Sequence, residues 1–176
     1  MKKALFGLFV LLAISFNARA DFNDGVVAYM MGDYPRAFTT MQSLAETTDH
    51  ALSQYYLGMM YLKGQGANQS NDEAAKWLRK SAEQGVPQAQ YNLAQLYTDG
   101  LGVPRDYEFA YIWYRVGASH EHEASQMAVE GARAQLNQEQ LAEADKLAAE
   151  YIDKYGPQPE EEKKLTLPPE ATQPAQ

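Results

Sequence analysis

His120-Glu121-His122-Glu123 is the one cluster in this chain with metal-ligand chemistry. Imidazoles and carboxylates are donor types that zinc takes. Their spacing argues against a shared ion. Side chains at i and i+2 point about 200° apart on a helix, so the two rings converge only on extended backbone. A zinc-protease helix carries its histidines at i and i+4, with a glutamate between them. His50, the only other histidine, falls in an expected loop. No cysteine is present to serve as thiolate nucleophile or ligand. A Ser-His-Asp relay would need a convergence in space that the sequence does not signal. Neither a metal nor a cofactor is expected.

Gly64-x-Gly66 and Gly100-x-Gly102 raise a second chemistry, that of a phosphate-binding loop. Such a loop follows a strand and leads into a helix whose N-terminus faces the anion. Here each pair follows a helix-like stretch and lacks both the full glycine fingerprint and a P-loop lysine. Helix termination is the expected role. Carboxylates are plentiful, but Glu160-Glu161-Glu162 falls in a proline-rich tail and the rest scatter over presumed helix surfaces. A solvated face accounts for them. No complete catalytic constellation emerges, so the chain is read as a non-enzyme.

The elements that carry these residues repeat. Trp77 and Trp113, the only tryptophans, stand 36 residues apart, and so do Leu57 and Leu93, Tyr61 and Tyr97, and Ala82 and Ala118. A fixed period in this range marks a stack of supersecondary units. Leu57-Gly58-x-x-Tyr61 sets a large, a small and an aromatic residue on one helical face, with Ala94 at the small position of the next unit. Glycines 64 and 66 end that helix. Ser70-x-x-Glu73 reads as a capping box opening a second helix, with Asp106 its counterpart. Ala74, Trp77, Leu78 and Ala82 line its apolar side, and Gly85 and Pro87 stop it. Repeat two fades at Val116-Gly117 and has no glycine to match Gly85. Either a bend or a continuing helix fits there.

The expected fold is all-α: a right-handed α-solenoid of about four antiparallel helix pairs over 21–155. Two regular repeats cover 51–86 and 87–120. Atypical units cover 21–50 and 121–155, the latter with a capping box at Asn137-x-x-Gln140. Terminal units of a stack are expected to deviate because one side of each faces water. The paired tryptophans then read as packing between helix pairs rather than as binding hot spots.

The two ends read differently. Residues 1–20 have the form of a signal peptide, with Lys2 and Lys3, an apolar run from Ala4 to Phe16, and Ala18-Arg19-Ala20 before Asp21. That run is shorter than the roughly 20 residues a bilayer span needs. An exported chain is expected, periplasmic or fully secreted, with no membrane insertion after cleavage. With no cysteine there is no lipoprotein anchor. Residues 156–176 hold five of the eight prolines and no aromatic residue, which reads as a disordered tail. Loss of Lys2, Lys3 and Arg19 takes the net charge from −8 to −11. Nucleic-acid binding needs a basic footprint, so it is excluded. Solubility and a basic partner both fit this charge.

The repeats resemble the Sel-one-like repeat family, kin of the tetratricopeptide repeats. The resemblance rests on Ala89, Leu93, Tyr97, Gly100, Gly102-Val103, Asp106, Ala110, Trp113 and Ala118 in repeat two. In repeat one it rests on Leu57-Gly58, Tyr61, Gly64, Gly66, Ala74, Trp77, Lys80, Ala82 and Gly85. Gly25, Gly32-Asp33-Tyr34 and Ala37 are similar to a tetratricopeptide unit. The resemblance implies a superhelix that holds other proteins on its concave face. Exported bacterial members look like envelope adaptors or regulators, and some are similar to immunity proteins against secreted toxins. A cysteine-rich branch is associated with weak β-lactamase activity, and this chain lacks that branch's paired cysteines.

In such stacks the first helix of each pair lines the groove. Registering on Leu57-Gly58-x-x-Tyr61, the groove positions are Tyr55, Met59 and Leu62, then Tyr91, Gln95 and Thr98. Phe22, Val26 and Tyr29 correspond in the first unit. Tyr and Met suit protein-binding surfaces. Tyr55 and Tyr91 fit a core role equally well. The expected function is a non-catalytic exported scaffold that binds a protein or peptide in this groove.

Overall fold

A computed structural model describes residues 21–158, and among these every regular element is an α-helix. They are α1 (21–30), α2 (Tyr34–Thr47), α3 (Ala51–Lys63), α4 (Asn71–Glu83), α5 (Pro87–Asp99), α6 (Tyr107–Ser119), α7 (Glu123–Arg133) and α8 (Gln138–Tyr155). The expected signal segment and nearly all of the tail lie outside the described residues.

The two repeats close their loops in the same way. Gly64 and Gly100 cap α3 and α5 in the left-handed conformation, at φ 65° and 71°. The N–H of Ser70 then donates to Tyr61 O at 3.0 Å, and that of Asp106 to Tyr97 O at 2.9 Å. The second glycine of each pair serves the stack. A Cβ on Gly66 would strike the backbone at Tyr34, and one on Gly102 the backbone at Asn71. Each loop therefore lies on the start of the preceding unit's second helix, where only glycine leaves room. Close approach within a pair depends on Gly58, whose Cβ would stand 2.8 Å from Leu78 Cγ.

Ser70 accepts from Glu73 N at 3.3 Å, but the capping box expected there is only half formed. The Ser70 N–H is already used by Tyr61 O, and the Glu73 carboxylate pairs with Lys76 at 3.1 Å instead. The box at Asn137 and Gln140 is complete, with reciprocal bonds of 3.1 and 3.0 Å.

Repeat two runs through Val116-Gly117 as helix to Ser119. Glu121 then takes the role of the missing glycine, at φ 59° against 81° for Gly85. Asp49, one further period back, does the same at φ 52°. The chain reverses alike at 49, 85 and 121, although only one of the three is glycine.

The end of the stack departs from simple pairing. α7 packs on α6 as α5 packs on α4, but α8 turns back and lies against α6 rather than α7. The Trp113 ring stacks on Tyr155 (centroids 5.6 Å) and meets Tyr151 edge-on (5.3 Å). The buried Gln90 amide donates to both Ala82 O and Tyr155 O, at 3.1 and 3.0 Å. The Tyr111 hydroxyl and the Arg115 guanidinium converge on Asp145 Oδ1 at 2.7 and 2.6 Å. The seam at Trp113 is thus with α8, and it shields the outer side of α6 from water.

Candidate interaction surface

The first helices α3, α5 and α7 present successive rungs of one row. Met59 and Leu62 are half-buried, as are Tyr91, Gln95 and Thr98, while Tyr55, expected in the groove, is 9% exposed and belongs to the core. Gln95 Nε2 donates to the Tyr91 hydroxyl at 3.0 Å, and Thr98 Oγ1 donates to Ala94 O at 3.0 Å. The Tyr91 ring rests on Tyr114 and His122, at 5.6 and 5.5 Å between centroids. Tyr91 is therefore shared, with one side in the seam to the next unit and the remainder at the surface.

The first unit behaves differently. Phe22 and Val26 are each 7% exposed and belong to the core. Phe22 packs on His50 at 4.7 Å and on Tyr56 at 6.0 Å, and Tyr29 packs on Tyr56 at 5.4 Å. Registering α1 on α3 by sequence placed these residues in the groove. The structure uses them to seal α1 onto α3, because Tyr56 supplies an aromatic wall where repeat two has Asn92. Tyr56 was missed by sequence reasoning, and its signal was the Tyr55-Tyr56 doublet.

Also missed was a third rung. Adding the period to Tyr91 and Gln95 gives Met127 and Gly131 on α7. Met127 is 77% exposed, and a Cβ on Gly131 would meet nothing within 4 Å. Tyr91 is covered by the following unit, whereas Met127 has no such unit after it because α8 has turned away. The row therefore opens toward its C-terminal end.

The histidines are structural. His50 and His122 are the N-caps of α3 and α7, and each Nδ1 accepts from the backbone N–H of a serine three residues on, at 3.2 and 3.3 Å. Burial lowers both imidazole pKa values, and the charge of His120 lowers that of His122 further. The neutral ring is the one that can accept at Nδ1. His120 points the other way, its Nε2 donating to Tyr155 O at 3.1 Å. The His-Glu-His-Glu run is thus divided between a helix cap and the α8 seam. Among the described residues no group of three or more His, Cys, Asp or Glu side chains could hold a metal, and no helix is long and apolar enough to cross a membrane.

A stack of helix pairs with a row of surface side chains on its first helices defines an α-solenoid of the tetratricopeptide-like class. Within that class the chain carries two segments that match the Sel1 repeat profile, residues 51–86 and 87–122. The fold is similar to the crystal structure of a protective antigen of uropathogenic Escherichia coli displaying an SLR fold. The TM-score is 0.76 at 30% identity, over 82% of this chain and 32% of that one. It is also similar to a Sel1 repeat protein from Oxalobacter formigenes, with TM-score 0.60 at 28% identity, over 74% of this chain and 55% of that one. In sequence it is 28% identical over 119 residues to a chitin synthase regulator of Saccharomyces cerevisiae, covering 54% of this chain. An F-box protein of Arabidopsis thaliana is 40% identical over 70 residues. The chain spans 17% of the yeast protein and 19% of the plant protein. Sel1-repeat proteins are in general non-catalytic scaffolds that bind other proteins.

Proposed function

We propose that this chain is an exported, non-catalytic adaptor that holds a protein or an extended peptide against the row Met59, Leu62, Tyr91, Gln95 and Thr98. The observation that carries this reading is the half-exposure of these residues on consecutive first helices. Gln95 bonds within its own helix and Thr98 bonds Ala94 and the neighbouring Tyr114, so a ligand can cover the row without breaking a long-range bond. The apolar part of the row, Met59 and Leu62, anchors the ligand. The acidic balance of the chain favours a partner with basic groups. The signal-like segment 1–20 supports delivery to the periplasm, with Asp21 as the mature N-terminus.

Affinity capture from an envelope extract with the mature chain tests this reading. Met59→Glu with Gln95→Lys is expected to abolish capture while leaving the far-UV circular dichroism unchanged. Undiminished capture would remove the groove from the account. N-terminal sequencing of the protein recovered from the periplasm is expected to begin at Asp21.

A further inference from the structure

The helices α3, α5 and α7 begin at equivalent places but not with equivalent caps. α3 and α7 open on His50-x-x-Ser53 and His122-x-x-Ser125, 72 residues apart. Midway between them α5 opens on Val86-x-x-Ala89, with no side-chain cap. The cap of α7 adjoins the row. Nδ1 of His122 accepts from the N–H of Ser125 at 3.3 Å and lies 2.8 Å from the Ser125 hydroxyl. Ser125 is fully buried against α6, where a Cβ on Gly117 would strike it. The same imidazole forms one wall of the Tyr91 ring, at 5.5 Å between centroids, and Tyr114 forms another at 5.6 Å. The cap of α3 rests instead on Phe22, a core residue, at 4.7 Å.

A proton on His122 undoes both contacts. With both ring nitrogens protonated the imidazole only donates, and the Ser125 N–H loses its acceptor. The new charge stands at the positive end of the α7 dipole, where a cation is disfavoured. From α5 it faces the Tyr91 ring. From α6 it meets His120, whose charge opposes its own, with Tyr114 behind Tyr91. The carboxylates of its own segment, Glu121 and Glu123, are exposed to water. The charged ring is driven toward solvent, and Tyr91 loses that wall.

We propose that His122 is a proton switch for the row: once protonated it leaves Tyr91, whose ring then shifts on α5, so that a ligand held at neutral pH is released in mild acid. The release rests on the reading of the row as the binding surface, whereas the movement of Tyr91 does not. The seat is complete while the ring is neutral. It is lost as pH falls through the folded pKa of His122, which burial sets below 6.5.

An NMR titration from pH 7.5 down to about 4.5 tests the switch without a ligand. Gln95 reports on Tyr91 because its Nε2 donates to the Tyr91 hydroxyl. The Tyr91 ring and Gln95 side-chain amide signals are expected to move with the His122 ring signals, at one midpoint below 6.5. His122→Asn, which can cap α7 at any pH in this range, should leave them flat. His50→Asn should leave their midpoint where it is. A His122 ring that does not titrate in this range, Tyr91 signals that stay still while it does, or signals that still move in His122→Asn would each overturn the switch. Release is read by capturing from an envelope extract at pH 7.5 and eluting at pH 5. The wild-type chain should free several-fold more of its bound protein than His122→Asn, and equal elution would overturn the release. A wild-type chain that captures nothing at pH 7.5 counts against the row as a binding surface and with it the release, and the titration still decides the switch.

Discussion

The two long faces of this stack hold their polar groups in opposite ways. On the row of first helices, Gln95 bonds Tyr91 and Thr98 bonds Ala94, each four residues away within α5, and Thr98 reaches no further than Tyr114 on the next helix. Where α8 covers α5 and α6 the bonds join residues 30 to 65 positions apart: Tyr111 and Arg115 to Asp145, Gln140 to Glu108, His120 and Gln90 to Tyr155. A surface whose hydrogen bonds are local is already satisfied and loses nothing when a ligand arrives or departs. One built from long-range bonds closes the fold, and disturbing it disturbs the molecule. The contrast separates the face proposed to bind from the face that holds.

The largest expected break in that contrast is Trp113→Ala. It empties a 1% exposed site against Tyr151 and Tyr155. A loss of about 3–5 kcal/mol in urea unfolding is expected. Met59→Ala on the row of first helices should cost about 1 kcal/mol or less, since its side chain is only partly buried. Equal losses at the two sites would erase the distinction.

Asp145→Ala is next. Hydrogen bonding from Tyr111 leads the causes that hold the Asp145 carboxyl below its usual range, assisted by Arg115. Such a group contributes stability above its unfolded pKa and loses it as pH falls through the lower folded value. Asp145 is half exposed, so the removal should cost only about 1 kcal/mol at pH 7, with the difference from wild type vanishing in strong acid.

The caps give a pH dependence of the same sign nearer neutrality. His50 and His122 have folded pKa values lowered from 6.5 by burial. Above 6.5 their contribution is fully present. As pH falls below it the unfolded chain takes up protons that the caps refuse, and stability declines toward the folded values. The thermal midpoint should be lower at pH 5 than at pH 7.5, and His50→Asn/His122→Asn should flatten that slope while preserving the caps. An unchanged slope would assign the acid sensitivity elsewhere.

The smallest effect sits at the turn joining the two faces. Glu121 holds φ 59°, a conformation that disfavours side chains with a Cβ. Glu121→Gly should stabilise the chain by about 0.5–1 kcal/mol in the same unfolding measurement.

Much of this architecture was legible because stacking imposes a period. The glycine pairs mark a contact that both regular repeats make, and the spacing of Trp77 and Trp113 marks the period itself. The path of α8 was not legible. Leu141, Ala144, Leu147, Ala148, Tyr151 and Ile152 declare an amphipathic helix, but periodicity does not say which neighbour it covers. The partner of Trp113 lies about forty residues downstream and outside the repeat. The reversal at Glu121 was hidden because glycine is the usual signal and backbone geometry overrode it. The caps at His50 and His122 were hidden because histidine is not among the favoured N-cap residues. Their clue was the shared His-x-x-Ser at twice the repeat period. Registration put Met59, Leu62, Tyr91, Gln95 and Thr98 where the structure leaves them partly exposed, but it also put Tyr55, Phe22 and Val26 on the surface, since an aromatic wall at Tyr56 cannot be seen from a one-dimensional pattern.

Hydroxyl-radical footprinting of the chain, with and without its captured partner, tests the central claim most directly. The account predicts that oxidation of Met59 and Tyr91 falls several-fold in the complex while that of Trp113 and Tyr151 stays constant. Protection confined to the α6–α8 side, with Met59 and Tyr91 as reactive as in the free chain, would contradict it.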